Sequence, residues 1–224
     1  MTGVEAIPGR PSRETERARE LQRVAAELFF ARGYEATTTR QIAQALRITS
    51  ASIYYHYADK EQILFELIRS TMEQLTAGVR TVLEQESSPD RQLAGLVVHH
   101  VVLHALRPRE TTLGETELRS LTGERRSRVL TMRDDYEGLV LGVLEDGART
   151  GVFHALDLKL SAYAIISQCT SVGIWYREDG RLALDEIAAV YANLALRTVG
   201  GPEVEKATVA RLAAAAAAFH GEGR

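Results

Sequence analysis

Apolar residues along most of the chain recur every three or four positions, and the strict alternation of a half-buried strand is almost absent. Over 13–32, Ala18, Leu21, Ala25, Leu28 and Phe29 fall on one stripe of a helix that Gly33 stops. In "TTTRQIAQAL", Thr38 and Gln41 have capping-box spacing and turn Ile42, Ala43 and Leu46 inward. Thr49 caps a very short third helix, Ser50–His56. Asp59 caps a long fourth one on which Ile63, Leu64, Leu67 and Ile68 repeat at helical spacing. "SSPD" (87–90) ends that helix and opens a fifth over 91–106. A less regular stretch from Arg107 to Gly123 precedes a long helix over Glu124–Arg149, which "TGVF" breaks. Helices over 157–177 and 184–198 follow, each apolar on more than one face, with "REDGRLAL" between them. None of the five prolines interrupts a long periodic segment. The pattern predicts an all-α fold. The terminal "LAAAAAAFHG" favours helix locally but offers little to pack. Flexible ends are therefore expected over 1–12 and 201–224, flanking domains over 13–60 and 61–200.

Two short helices joined by a tight turn and braced by a longer one make a helix-turn-helix, whose second short helix enters the major groove of DNA. That explains "RITSASIYYHYADKEQIL" (47–64), where a soluble chain holds aromatics between serines and a charged helix start. Ile48, Ile53 and Tyr57 are expected in the module's core. Ser50, Ala51, Ser52, Tyr55 and His56 are left to meet DNA. Small residues let the first turn approach base edges, the Tyr54 hydroxyl suits a phosphate, and the Tyr55 ring suits a thymine methyl or a sugar.

Net charge is −3, so bulk attraction to nucleic acid is not expected, but its distribution matters more. From Ala36 through Ala58 there is no Asp or Glu, while Arg40 and Arg47 are present. Residues 1–62 carry 9 basic and 8 acidic side chains, net +1; residues 63–200 carry 15 and 19, net −4. Depletion of carboxylates is what a DNA-facing surface requires, and Lys60 adds a phosphate partner. The single cysteine, Cys169, excludes a disulfide framework and fits a reducing cytoplasm. The absence of a signal-like leader, or of an apolar run of about 18 residues, points to a soluble cytoplasmic protein with no membrane partner.

"TTTRQIAQALRITSASIYYHYADKEQIL" resembles the DNA-binding region of the tetracycline-repressor (TetR) family of bacterial transcription regulators, over roughly residues 13–65. The resemblance implies that Arg40 reads a base at the start of the second helix. It implies phosphate contacts from Thr39, Tyr54, His56 and Lys60, and a base-reading face of Ser50, Ala51, Ser52 and Tyr55. The family usually has Gly where this chain has Arg47, because the turn favours positive φ; Arg47 must accept strain there or alter the turn. The rest of the chain is then a ligand-binding and dimerisation domain. Helices apolar on several faces need cover on two sides, so 157–177 and 184–198 are expected to form a four-helix homodimer interface. Two recognition helices about 34 Å apart predict a palindromic double-stranded operator.

"ERRSRVLTMRDDYEGLVLGVLEDGARTGVF" and "WYREDGRLALDEIA" resemble the C-terminal domains of TetR regulators that sense acyl-coenzyme A thioesters. Between 107 and 133 there are seven arginines against four glutamates, and guanidinium groups suit the phosphates of coenzyme A; the bland alternative is a solvated helix face. A smaller apolar or aromatic effector is the alternative ligand. Candidate pocket residues are Phe65, Met72, His104, Met132, Tyr136, Gln168 and Trp175, against the alternative that each simply fills core. His100 and His104, at i,i+4, raise a metal sensor as a further alternative, but no neighbouring Cys or carboxylate pair completes a set. No cofactor is expected. Catalysis is not expected either: there is no Gly-rich phosphate loop, nucleophile elbow, Cys/His pairing or H-E-x-x-H. A DNA-packaging protein would not require so large a second domain.

Overall fold

A computed structural model describes residues 13–221, with side chains from Arg17 onward. The arm expected over 1–12 lies outside the described residues. Those that are described form ten α-helices, a short 3₁₀ turn and no strand, in two compact units divided after Glu66.

The first unit holds α1 (Arg13–Arg32), α2 (Thr39–Leu46), α3 (Ser50–His56) and the opening turns of α4 (Lys60–Gln85). Leu21, Ala25, Phe29, Ile42, Ile53, Ile63 and Leu64 are buried together with Tyr34 and Tyr57. Each short helix is started by a side chain. The Gln41 N–H donates to Thr38 Oγ1 while Gln41 Oε1 accepts from the Thr38 N–H at 2.8 Å, completing the predicted capping box. Thr49 Oγ1 accepts from the Ser52 N–H at 3.2 Å, and Asp59 Oδ1 from the Gln62 N–H at 2.6 Å. Between α2 and α3 the chain turns through Arg47 at φ 56°, ψ 37°, the one non-glycine in the left-handed region among the described residues. Strain is therefore accepted and the turn kept. Ile48 corrects an expectation: it follows directly on this turn and is 41% exposed, so Ile53 and Tyr57 alone anchor α3.

The second unit is built around α5 (Pro89–Leu106). Proline at its first turn needs no donor, and from Leu93 to Leu106 it carries no Asp, Glu, Lys or Arg, its histidines being the one titratable side-chain type. A helix apolar on all sides must be covered on all sides. The remainder of α4, α7 (Gly123–Arg149), α8 (Leu158–Trp175), α9 (Leu184–Thr198) and α10 (Lys206–Gly221) supply that cover. Two elements depart from the sequence reading. The segment after Arg107 forms α6 (Pro108–Thr116), which buries Thr111, Leu113 and Gly114, too little apolar surface to show as a stripe. The tail expected to be flexible is α10, with Val209, Leu212, Ala213, Ala216 and His220 buried along one face. Its alanines suit a close approach to α5, where Gly95 faces Leu212 and Val82. At its end His220 Nε2 meets His99 Nδ1 at 3.2 Å, and Arg211 pairs with the buried Glu86 at 2.6 Å.

Candidate functional site

In the first unit Ile53 is fully buried and points α3 inward, with Tyr57 held by a hydrogen bond from Gln22 Nε2 at 3.1 Å. The opposite face is left to solvent. Ala51 and Ser52 are exposed, Ser50 half-buried, and Tyr54 and Tyr55 are 54% and 78% exposed. Arg40 is exposed at the start of α2. Thr39 and Tyr54, 15 residues apart, bring their hydroxyls within 3.1 Å, which joins the start of α2 to the side of α3. The Tyr55 and His56 rings meet edge to face at 5.0 Å. Eight of the nine expected DNA-facing residues, all but Lys60, are exposed or half-buried on α2 and α3, in a stretch that carries no Asp or Glu from Ala36 to Ala58. Lys60 is different. Its ammonium donates to the Tyr34 carbonyl at 2.9 Å and sits 4.1 Å over the Tyr34 ring, so it is anchored inward rather than extended.

A cavity of about 530 Å³ lies within the second unit, between α4, α5, α6, α7 and α8. Ile68, Met72, Leu75, Ile166 and Ile174 are its aliphatic and thioether lining residues. Its polar lining includes His100, His104, Tyr136 and Thr170 together with Arg133, Glu110, Glu115 and Glu137. Arg133 Nη2 donates to the Gly114 carbonyl at 2.8 Å and to Glu115 at 3.0 Å, so its charge is spent locally. Tyr136 Oη lies 2.7 Å from His100 Nδ1, and His100 Nε2 lies 3.1 Å from Thr170 Oγ1. His104 stacks on His100 with ring centres 4.3 Å apart and donates from Nδ1 to the His100 carbonyl at 2.9 Å. Burial holds both imidazoles neutral: His104 is lowered to about 4, and His100 falls well below 6.5 by burial first and by neighbouring His104 second. Both ring nitrogens of His100 already face hydroxyls, which leaves it no lone pair aimed at a metal.

Of the expected pocket residues, Met72, His104 and Tyr136 line this cavity. Phe65, Met132, Gln168 and Trp175 do not. Three of these four sit one position from a residue that does: Arg133, Ser167 and Ile174. One residue is about 100° around a helix, so the helices were right and their phase was not. On α8 the lining runs Tyr163, Ile166, Ser167, Thr170, Ser171 and Ile174, a clean helical stripe hidden because the helix has no charged face to set its orientation. Trp175 instead stacks on Tyr191 of α9, with ring centres 6.2 Å apart.

The capped, outward-facing α3 defines a helix-turn-helix DNA-binding protein. Residues 21–67 match the family "Bacterial regulatory proteins, tetR family", and residues 86–199 match "Tetracyclin repressor-like, C-terminal domain". The chain is 31% identical over 187 residues to the HTH-type transcriptional repressor KstR2 of Mycobacterium tuberculosis H37Rv, covering 79% of this chain and 90% of that one. Among solved structures, a tetR-family regulatory protein from Rhodococcus RHA1 superposes with TM-score 0.79 at 31% identity, covering 86% of this chain and all of that one. AibR, solved in complex with isovaleryl coenzyme A and operator DNA, superposes with TM-score 0.73 at 25% identity, covering 83% of this chain and all of that one. The chain belongs to the TetR family of bacterial transcriptional regulators.

Proposed function

We propose that the chain is a cytoplasmic, ligand-responsive repressor that binds a palindromic operator as a homodimer and releases it when an acyl-coenzyme A thioester fills the cavity. The observation that carries this reading is the cavity itself, lined by both apolar and polar side chains, in a chain whose other unit presents an outward-facing α3. Arg40, Ser50, Ala51, Ser52 and Tyr55 read bases, and Thr39, Tyr54 and His56 hold phosphates. The exposed Arg126 and Arg128 of α7 supply guanidinium groups for coenzyme A phosphates. The similarity to AibR, whose structure holds both isovaleryl coenzyme A and operator DNA, supports this class of effector.

The homodimer forms through α8 and α9. Leu160, Ile174 and Trp175 of α8 and Val190 and Leu194 of α9 are exposed, a concentration of apolar side chains that a second copy would cover. α4 carries residues of both units, and Ile68, Thr71 and Met72 on it line the cavity. Occupancy releases DNA by favouring a population whose recognition helices no longer match the operator. No helix among the described residues is long and apolar enough to cross a membrane. One observation favours an uncharged apolar or aromatic effector instead: three of the four charged side chains lining the cavity are carboxylates.

Fluorescence anisotropy of labelled DNA from upstream of the coding sequence tests the reading. A panel of coenzyme A thioesters and the matching free acids is titrated into the complex. Release by a thioester but not by its acid is expected; release by free acids alone would contradict it.

A further inference from the structure

We propose that Thr170, set by His100 and Tyr136, recognises the effector by donating its hydroxyl hydrogen to an uncharged carbonyl or hydroxyl oxygen on the ligand's apolar body. This rests on the reading of the cavity as the effector site. It follows from counting hydrogens. Tyr136, neutral His100 and Thr170 carry three polar hydrogens between them and make two hydrogen bonds, so one hydrogen is left over. A phenol donates more readily than it accepts, and 2.7 Å suits an O–H donor, so Tyr136 gives its hydrogen to His100 Nδ1. His100 then carries its hydrogen on Nε2, and 3.1 Å suits an N–H donating to Thr170 Oγ1. The remaining hydrogen is on Thr170, whose bond to His100 is only partly buried, whereas that of Tyr136 is fully buried.

Three other cavity hydroxyls are spent on the backbone: Thr71 donates to the Leu67 carbonyl at 2.8 Å, Thr111 to the Arg107 carbonyl at 2.9 Å and Ser171 to the Gln168 carbonyl at 2.7 Å. The remaining two, Tyr163 and Ser167, are exposed to water, unlike the half-buried Thr170. His104, with Nδ1 donating to the backbone, keeps Nε2 as an acceptor, so a ligand hydroxyl finds a matching group there. A carboxylate is disfavoured, because Glu110 lines the same cavity while Arg133 is already paired with Glu115 and Lys159 with Glu137. Burial keeps His100 uncharged and fixes the pattern of donors near neutral pH.

The test uses probes without coenzyme A, so it reads independently of the proposed effector. Calorimetry compares tetralin, 1-tetralone and tetralin-1-carboxylate on the full chain. Partition into a purely apolar cavity favours tetralin; here 1-tetralone binds about three- to tenfold tighter than tetralin, the worth of one net hydrogen bond, and the carboxylate binds weakest. Thr170→Val removes the ketone preference and Thr170→Ser restores it, with Thr170→Ala as the substitute should the valine variant not fold. Tetralin binding as tightly as the ketone, a preference that survives Thr170→Val, or no binding of either compound overturns the proposal.

Discussion

At the scale of single residues, strain and burial make the sharpest predictions. Arg47 holds a left-handed conformation that costs a side-chain-bearing residue roughly 1–2 kcal/mol relative to glycine. Arg47→Gly is expected to raise stability by about 0.5–1 kcal/mol, since the flexibility of glycine in the unfolded chain offsets part of the relief. Urea denaturation measures this, and a loss of stability would contradict the strained turn. Gly78 is the converse, because a methyl group there would overlap His99 Nδ1 next to His220. Gly78→Ala is expected to cost about 1–3 kcal/mol by overpacking. The same buried histidines set the acid response. His99 and His104 are lowered by burial from 6.5 to about 4, so on acidification the unfolded chain takes up protons first. Their contribution is complete above pH 6.5 and drains away between 6.5 and 4. The melting temperature should fall across that window, and a flat profile would contradict it. The Arg47 turn was legible in the sequence, because a family position favouring glycine demands a particular φ. The exposure of Ile48 was not, because apolar character alone does not say which side of a turn a residue faces.

Among the elements, α1 to α5 and α7 to α9 were legible because apolar residues recur along each of them, with side-chain caps adding to the signal at α2, α3 and α4. α10 was not. An alanine run buries little area per residue, yet Val209 and Leu212 are almost wholly enclosed. Leu212→Ala is expected to cost about 2–5 kcal/mol, the usual range for a leucine lost from a core. A flexible tail would show a negligible change, so the same denaturation experiment separates the two descriptions. α8 shows the other limit: its existence and length were readable, but a helix with no charged residue beyond Lys159 does not disclose its phase. The cavity face was therefore placed one residue off at Gln168 and Trp175. The polar unit of His100, Tyr136 and Thr170 spans three helices, and such long-range pairings leave no trace in local spacing.

For the whole molecule, the fold and family were legible from the first sixty residues, where caps, turn and aromatics are packed into a short stretch. The proposed homodimer rests on the apolar surface of α8 and α9. Ile174 is 71% exposed and Leu194 42%, and charge placed there should split the dimer by leaving an ion unpaired in the interface. Leu194→Glu is expected to sediment as a monomer at micromolar concentration and to bind DNA poorly with its fold intact. A dimeric variant would place the interface elsewhere. The central claim is that the outward face of α3 reads DNA. The most direct measurement is the anisotropy-derived affinity for upstream operator DNA of the wild-type chain and of Tyr55→Ala, whose side chain makes no core contact. The account predicts affinity weakened at least about fivefold, the lower end for a lost base contact, with an unchanged melting temperature; equal affinity for the two proteins would contradict it.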